Sequence, residues 1–357
     1  MNGLRIPRNP WVRAAFVLPF FAAVVLLLWW RGPDWHVVRH AFDPVNWSWI
    51  LFAVGLNLAS VLLRAVSWRL TIGQALDPPL PAFLRVFSAF GVGLLGNAVL
   101  PGRIGELARV AVLRRRLPHG RGTSAALVGT VFAHRLFDVV PALLLVGYVL
   151  LTAKIPDWAV TSLIGVSGVG VLLFAFAMAS ARRHHRPVLD EAGPVKRLVL
   201  MARRGLSVMK APLSAAGAIV FQCAGWLMQL LAVYVAMRAF DVHAPLPAAG
   251  LVLLLMNVAT IFPLWPGNIG LLQAAVALPL VQYNVDYSVG FAYGLVLQVV
   301  EMSVGVGVGL VFLAREGLSF ATLRGMPDAR SSALDTDAEV GVPEEDADRR
   351  SRAGVPG

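Results

Sequence analysis

The apolar residues of this chain come in long, nearly unbroken blocks, and that pattern restricts its fold more than any other feature. Val24-Val25-Leu26-Leu27-Leu28 and Val169-Gly170-Val171-Leu172-Leu173-Phe174 lie inside two of them. About 20 apolar residues in a helix cross a hydrocarbon core of about 30 Å, at about 1.5 Å per residue. Only 14% of the 357 residues are charged, against about 25% in an average soluble domain. The expectation is an all-α membrane protein with no soluble catalytic domain.

Six full spans are predicted at 14–30, 48–66, 124–152, 158–180, 212–238 and 287–314. The first follows a basic arm, 1–13, with Arg5, Arg8 and Arg13, and no small-x-small cleavage site follows it; it reads as a retained span. The formal charge of +11 does not indicate nucleic acid, because the basic residues sit in particular loops between apolar blocks. That is the positive-inside pattern. It places the N-terminal arm, the 67–82 connection and the 182–211 loop in the cytoplasm, with Arg64 and Arg69 marking the cytoplasmic end of the second span. Residues 316–357, rich in Asp, Glu, Ala, Gly, Pro and Arg without apolar periodicity, read as a disordered cytoplasmic tail. The expected setting is the bacterial cytoplasmic membrane, with both termini cytoplasmic.

Two further apolar regions, 83–117 and 246–283, are each broken by Pro-Gly near the middle. The second arm of the first carries Arg103, Glu106, Arg109 and Arg114-Arg115-Arg116. A full crossing there is unfavourable, at about 2.5–3.5 kcal/mol per central charge even on translocon scales. A re-entrant hairpin from the cytoplasm avoids that cost, and 246–283 then enters from the opposite side. Pro101-Gly102-Arg103-Ile104-Gly105 and Pro266-Gly267-Asn268-Ile269-Gly270 share Pro-Gly-x-Ile-Gly at an offset of 165 residues. The same offset carries span 48–66 into 212–238, and 124–152 close to 287–314. The chain therefore reads as two inverted repeats, about 14–152 and 158–315, with broken helices of the kind that recur in transporters.

Helix breaks persist in a membrane only where protein or a wet cavity covers the freed backbone. A half-helix that starts after Pro-Gly presents free N–H groups to an anion. Gly102, Gly105, Gly267 and Gly270 are therefore candidate substrate-binding positions, with Arg103 and Arg109 as phosphate ligands. The other reading is that the motif only turns the chain. A second constellation is His134-Arg135-x-x-Asp138, where Arg135 and Asp138 share a helix face at i,i+3. Glu301 falls one position from the repeat equivalent of Arg135. Intramembrane charges mark either a pathway or a structural ion pair, so Asp138 or Glu301 is a counter-ion or proton carrier for Arg135. Gly305, Gly307 and Gly309 are expected to allow close helix packing, and Cys223 to be a small packing residue. No nucleotide loop, nucleophile elbow or metal motif is found, and no cofactor is expected.

Taken together, Asn97-Ala-Val-Leu-Pro101-Gly-Arg-Ile-Gly105-Glu106-Leu-Ala-Arg109, His134-Arg135-Leu-Phe-Asp138 and Phe262-Pro-Leu-Trp-Pro266-Gly-Asn-Ile-Gly270-Leu resemble the lysylphosphatidylglycerol synthase transmembrane-region family, whose members are flippase-like. The resemblance runs from about residue 14 to 315. It implies a stand-alone member without the aminoacyl-transferring domain, and favours Arg103, Glu106, Arg109, Arg135 and Asp138 as site residues. The family often has glutamate where this chain has His134 and Gln273, which leaves those two positions as altered proton-coupling sites. The leading expectation is a lipid flippase, not an enzyme, that moves a phosphate-bearing lipid: a phospholipid, an aminoacyl-lipid or a polyprenyl-phosphate carrier. Its partners are then anionic or phosphate-bearing membrane lipids and a second copy of itself as a homo-oligomer. The alternatives are a membrane-embedded enzyme acting on a lipid phosphate or glycolipid, with Glu106, Asp138 and Glu301 as acid/base groups, and an accessory scaffold of an envelope-synthesis complex.

Overall fold

A computed structural model of the chain describes residues 32–76, 78–99, 105–117, 123–155, 160–161, 163–165, 167–172, 212–261 and 268–317. Every regular element among them is helical: α1 (Trp35–His40), α2 (Trp47–Ala75), α3 (Phe83–Val99), α4 (Gly105–Arg114), α5 (Thr123–Phe137), α6 (Val139–Thr152), α7 (Pro212–Ala239), α8 (Leu246–Ile261), α9 (Leu271–Leu280), a short 3-10 turn (Val281–Tyr283) and α10 (Tyr287–Arg315). Four stretches are long and apolar enough to cross a membrane: Trp47–Ala75, Ala126–Thr152, Leu213–Ala239 and Tyr287–Arg315. The protein is thus an all-α, multi-span membrane protein. Of the other two expected spans, 14–30 lies outside the described residues, and 158–180 is described only in part.

Local chemistry sets the helix limits. The Asn46 side chain accepts from Ser48 N at 3.1 Å to open α2, and Asp286 accepts from Ser288 N at 2.7 Å to open α10. Nothing stops α2 before the Pro78-Pro79 pair, so the helix continues to Ala75, well beyond the residue 66 at which the span was expected to end. The expected 124–152 span is present and continuous over Ala126–Thr152, with a local irregularity at Asp138 between α5 and α6. Pro141 has no N–H to offer the Phe137 carbonyl one turn back, which accounts for the irregularity.

Helices α2 and α7 form the central antiparallel pair. Asn46 N donates to Ala239 O at 3.0 Å, and Ser67 Oγ to Ala218 O at 2.8 Å. Midway between these contacts, Gly225 faces Ser60, close enough that a Cβ on the glycine would stand 3.3 Å from Ser60 O. Ser60 and Gly225 are separated by the offset of the Pro-Gly motifs, and so are Arg64 and Gln229, which hydrogen-bond to each other.

The two Pro-Gly regions each give a pair of short helices around the break. Helices α3 and α4 fold back on each other: a Cβ on Gly105 would lie 1.9 Å from Gly93 O, and one on Gly96 2.8 Å from Gly105 Cα. Only glycine permits that approach. At 10 residues, α4 is about 15 Å long, too short to cross a bilayer alone. The open ends of this pair lie with Arg69, Arg116 and the end of α10, linked by Arg69 Nε to Pro81 O at 3.2 Å and Arg116 to Glu316 at 2.9 Å. Helices α8 and α9 open toward the other end, where Tyr283 OH accepts from Lys154 N at 2.8 Å and Ser288 Oγ from Asp34 N at 3.0 Å. Helix α10 spans both: Gly290 and Gly294 meet Ala277 and Gln273 of α9, and Gly309 packs so tightly on α3 that its Cβ would lie 2.4 Å from Leu95 Cβ. Gly307 has no such neighbour, so of the three expected packing glycines only Gly309 is sterically required.

Candidate functional site

A cavity of about 750 Å³ lies between these elements, within the usual ligand-pocket range of about 300–1,000 Å³. It gathers charges from four helices: Arg64 of α2, Glu106 and Arg109 of α4, His134 and Arg135 of α5, and Glu301 of α10, with Asp138 at the α5–α6 junction. Gly105 lines it as well, and amides from the second half, Gln229, Asn257, Asn268 and Gln298, complete the polar wall.

Arg135 sits between two carboxylates. It is ion-paired with Glu106, and its Nη1 is 3.3 Å from Asp138 Oδ2. Asp138 also accepts from Gln222 and, at 3.0 Å, from Trp226 Nε1. Three donors thus converge on one carboxylate, two of them from α7. Glu301 is not the counter-ion of Arg135. It accepts from Gln229 Nε2 at 3.1 Å, and Gln229 in turn accepts from Arg64 Nη2 at 2.5 Å.

Arg109 is held differently. Its guanidinium lies 4.7 Å from the Trp68 ring centroid and 5.5 Å from that of Phe90, and the residue is only 4% exposed. Glu106 reaches it at 4.0 Å but is already committed to Arg135. Its Nε and Nη2 are buried without a hydrogen-bond partner among the described residues. Aromatic faces hold the charge by cation–π attraction, but they leave the in-plane N–H groups unsatisfied. A buried polar group in that state calls for a ligand or water.

The remaining expected site residues divide between the cavity wall and other places. His134 is 2% exposed and edge-on to Phe90 at 5.9 Å, with Nδ1 unpartnered among the described residues. Gln273 does not line the cavity: it accepts from Gly270 N and donates to Gln298, both at 2.6 Å, and so caps α9. Gly270 is outside the cavity wall and turns the chain at φ 92°, where a side chain would be strained. Gly102, Arg103 and Gly267 lie outside the described residues. Arg64 was expected at a membrane boundary; it sits in mid-helix on the cavity wall, stacked 5.4 Å from the Trp226 ring. Sequence reasoning missed Gln222, Trp226 and Gln229, although all three share one face of α7 at helical spacing. No cluster of three or more His, Cys, Asp and Glu suited to a metal occurs among the described residues.

Comparison with known proteins agrees with this architecture. The sequence model of the lysylphosphatidylglycerol synthase TM region matches residues 11–309. A UPF0104 membrane protein of Methanothermobacter thermautotrophicus is 24% identical over 322 residues, covering 82% of this chain and 91% of its own. One from Methanocaldococcus jannaschii is 24% identical over 206 residues, 55% of this chain and 83% of its own. A third, from Pyrococcus horikoshii, is 27% identical over 121 residues, 33% of this chain and 34% of its own. These relatives are archaeal, so they give no support to the bacterial setting expected from the sequence. No solved structure matches the chain.

Proposed function

Because this chain belongs to the lysylphosphatidylglycerol synthase TM-region family, we propose that it is a lipid flippase that moves a phosphate-bearing lipid between leaflets. One observation carries the reading: Arg109, buried and lining the cavity, has guanidinium donors that no described residue fills. A guanidinium grips a phosphate through two parallel hydrogen bonds, and the flanking Trp68 and Phe90 rings keep it in place when the site is empty. The phosphate would sit at Arg109, while acyl or prenyl tails lie along exposed apolar residues of the same wall, such as Val99 and Met302. Glu301 and Asp138 are the carboxylates placed to follow the headgroup or a coupled proton.

Two proposals about the setting go with this. The α3–α4 and α8–α9 pairs act as re-entrant hairpins from opposite sides, supported by their opposite open ends. The end carrying Arg69, Arg85, Arg114, Arg115, Arg116 and Arg315 faces the cytoplasm, supported by its excess of arginine over the Arg39, Lys154 and Arg238 of the other end.

The test is reconstitution into liposomes with headgroup-labelled lipids and an external quencher. Wild type should accelerate quenching of the inner-leaflet pool for at least one phosphate-bearing lipid. Arg109→Ala should slow it about 10- to 100-fold, the equivalent of one charge-assisted contact of about 1.5–3 kcal/mol, and Arg109→Lys less. No acceleration across anionic, zwitterionic and polyprenyl-phosphate lipids would overturn the proposal.

A further inference from the structure

The two halves meet along two seams that the 165-residue offset makes equivalent, and the seams are in different states. The first joins α3 to α10. A Cβ on Gly91 would stand 2.9 Å from Val308 Cγ1, Phe87 packs edge-on to Phe312 at 5.3 Å, and a Cβ on Gly305 would stand 3.9 Å from Leu94 Cβ. This seam is closed along its length. The second joins α8 to α6 in the same antiparallel register. There the equivalents of Gly91 and Val308 are Met256 and Leu143, and both line the cavity. Gly147, the equivalent of Phe312, has nothing within 4 Å of its would-be Cβ among the described residues, and Leu144, the equivalent of Gly309, is 64% exposed. Contact persists at the far end, where a Cβ on Gly250 would lie 2.9 Å from Val149 Cγ2. The second seam is therefore a wedge, closed at Gly250 and Val149 and widening toward the Pro-Gly break, with the cavity in its opening.

We infer that these seams are the two gates of one alternating-access cycle, and that the protein has a second conformation in which α8 closes on α6 while α3 parts from α10. Three features support the exchange. The central α2–α7 pair is self-complementary about Ser60 and Gly225, so it can serve both states unchanged. Helix α6 joins α5 where Pro141 leaves the Phe137 carbonyl without its helical donor, a point at which the stretch can bend. Packed interfaces also tend to hold one of two discrete arrangements rather than deform continuously. The inference deepens the transport reading, on which it rests for its purpose, by naming the elements that expose the headgroup site to each leaflet in turn.

Paired cysteines test it. In a Cys223→Ala background, Leu94→Cys with Gly305→Cys reports the closed seam, since its Cβ separation of 3.9 Å suits a disulfide. Val140→Cys with Ala259→Cys reports the equivalent positions of the open one. Both pairs should cross-link in membranes on mild oxidation, each lock should stop lipid transport, and reduction should restore it. If Val140→Cys/Ala259→Cys never cross-links, and the Leu94→Cys/Gly305→Cys lock leaves transport intact, the inference is overturned. If both pairs cross-link while wild type moves no lipid, the gates stand and the flippase reading falls. Should a pair prevent folding, spin labels on exposed Leu144 of α6 and half-buried Val258 of α8 replace it: two distance populations support two states, and a single one refutes them.

Discussion

Replacing Asp138 should separate the structural work of its oxygen atoms from that of its charge. Its carboxylate accepts from Gln222, which is fully buried, and from Trp226, which is 8% exposed. Asp138→Ala strands both donors, at about 1–3 kcal/mol each. The Arg135 contact is the smaller part, because Arg135 keeps Glu106 when Asp138 is lost. The expected loss from the two stranded donors is about 2–6 kcal/mol, about thirtyfold or more in the folding equilibrium. Asp138→Asn keeps a side-chain oxygen where Gln222 and Trp226 donate, so its loss should stay near 1–2 kcal/mol, the scale of weakening charge-assisted bonds to neutral ones. Unfolding in mixed micelles, followed with a thiol-reactive dye on Cys223, the single cysteine of the chain, measures both variants. Equal losses for Ala and Asn would refute the claim that α7 is anchored through this acceptor, and would make the Arg135 pairing the main contribution of Asp138 to stability.

Two further outcomes follow from backbone geometry. Gly309→Val places a Cβ 2.4 Å from Leu95 Cβ and should cost about 1–3 kcal/mol by overpacking, whereas Gly307→Ala, with nothing within 4 Å, should be neutral or slightly stabilising in the same unfolding assay. Gly270→Ala forces a side chain onto φ 92° and should lower stability by about 1–3 kcal/mol, with the α9 cap from Gln273 lost in the same step.

What the sequence made legible was local or periodic. Apolar length gave the long helices, the repeated Pro-Gly gave the broken pairs, and i,i+3 spacing brought Arg135 to Asp138. What it hid was tertiary. Arg64 reads as a boundary residue because a lone arginine in lipid is costly; its stabilising partners, Gln229 and Trp226, arrive on α7, more than 150 residues later. Glu301 looked like a partner for Arg135 because the repeat offset aligns them, yet equivalence under a two-fold relation does not bring two residues into contact unless they lie near the axis. Arg64 and Gln229 do lie there; Glu301 meets Gln229 instead. Gln273 looked like a lost carboxylate, but its amide serves both as acceptor for Gly270 N and as donor to Gln298, a dual role that no carboxylate can fill.

The Pro-Gly motif recurs at the 165-residue offset, but the charges do not. The equivalents of Glu106, Arg109, Arg135 and Asp138 are Leu271, Ala274, Val300 and Ser303, and that of Arg64 is the uncharged Gln229. Each charge placed at membrane depth is costly, so a second set would destabilise the fold while adding a competing site. One charged wall, in the first half, faces a wall of amides and apolar side chains in the second, with Glu301 as its carboxylate. If the two seams exchange as inferred, a headgroup held on the charged wall would keep its partners while they move. On the proposed reading, the repeated seams would supply two access states and the asymmetric wall one binding site, which together meet the minimum requirement for carrying a polar headgroup across a bilayer.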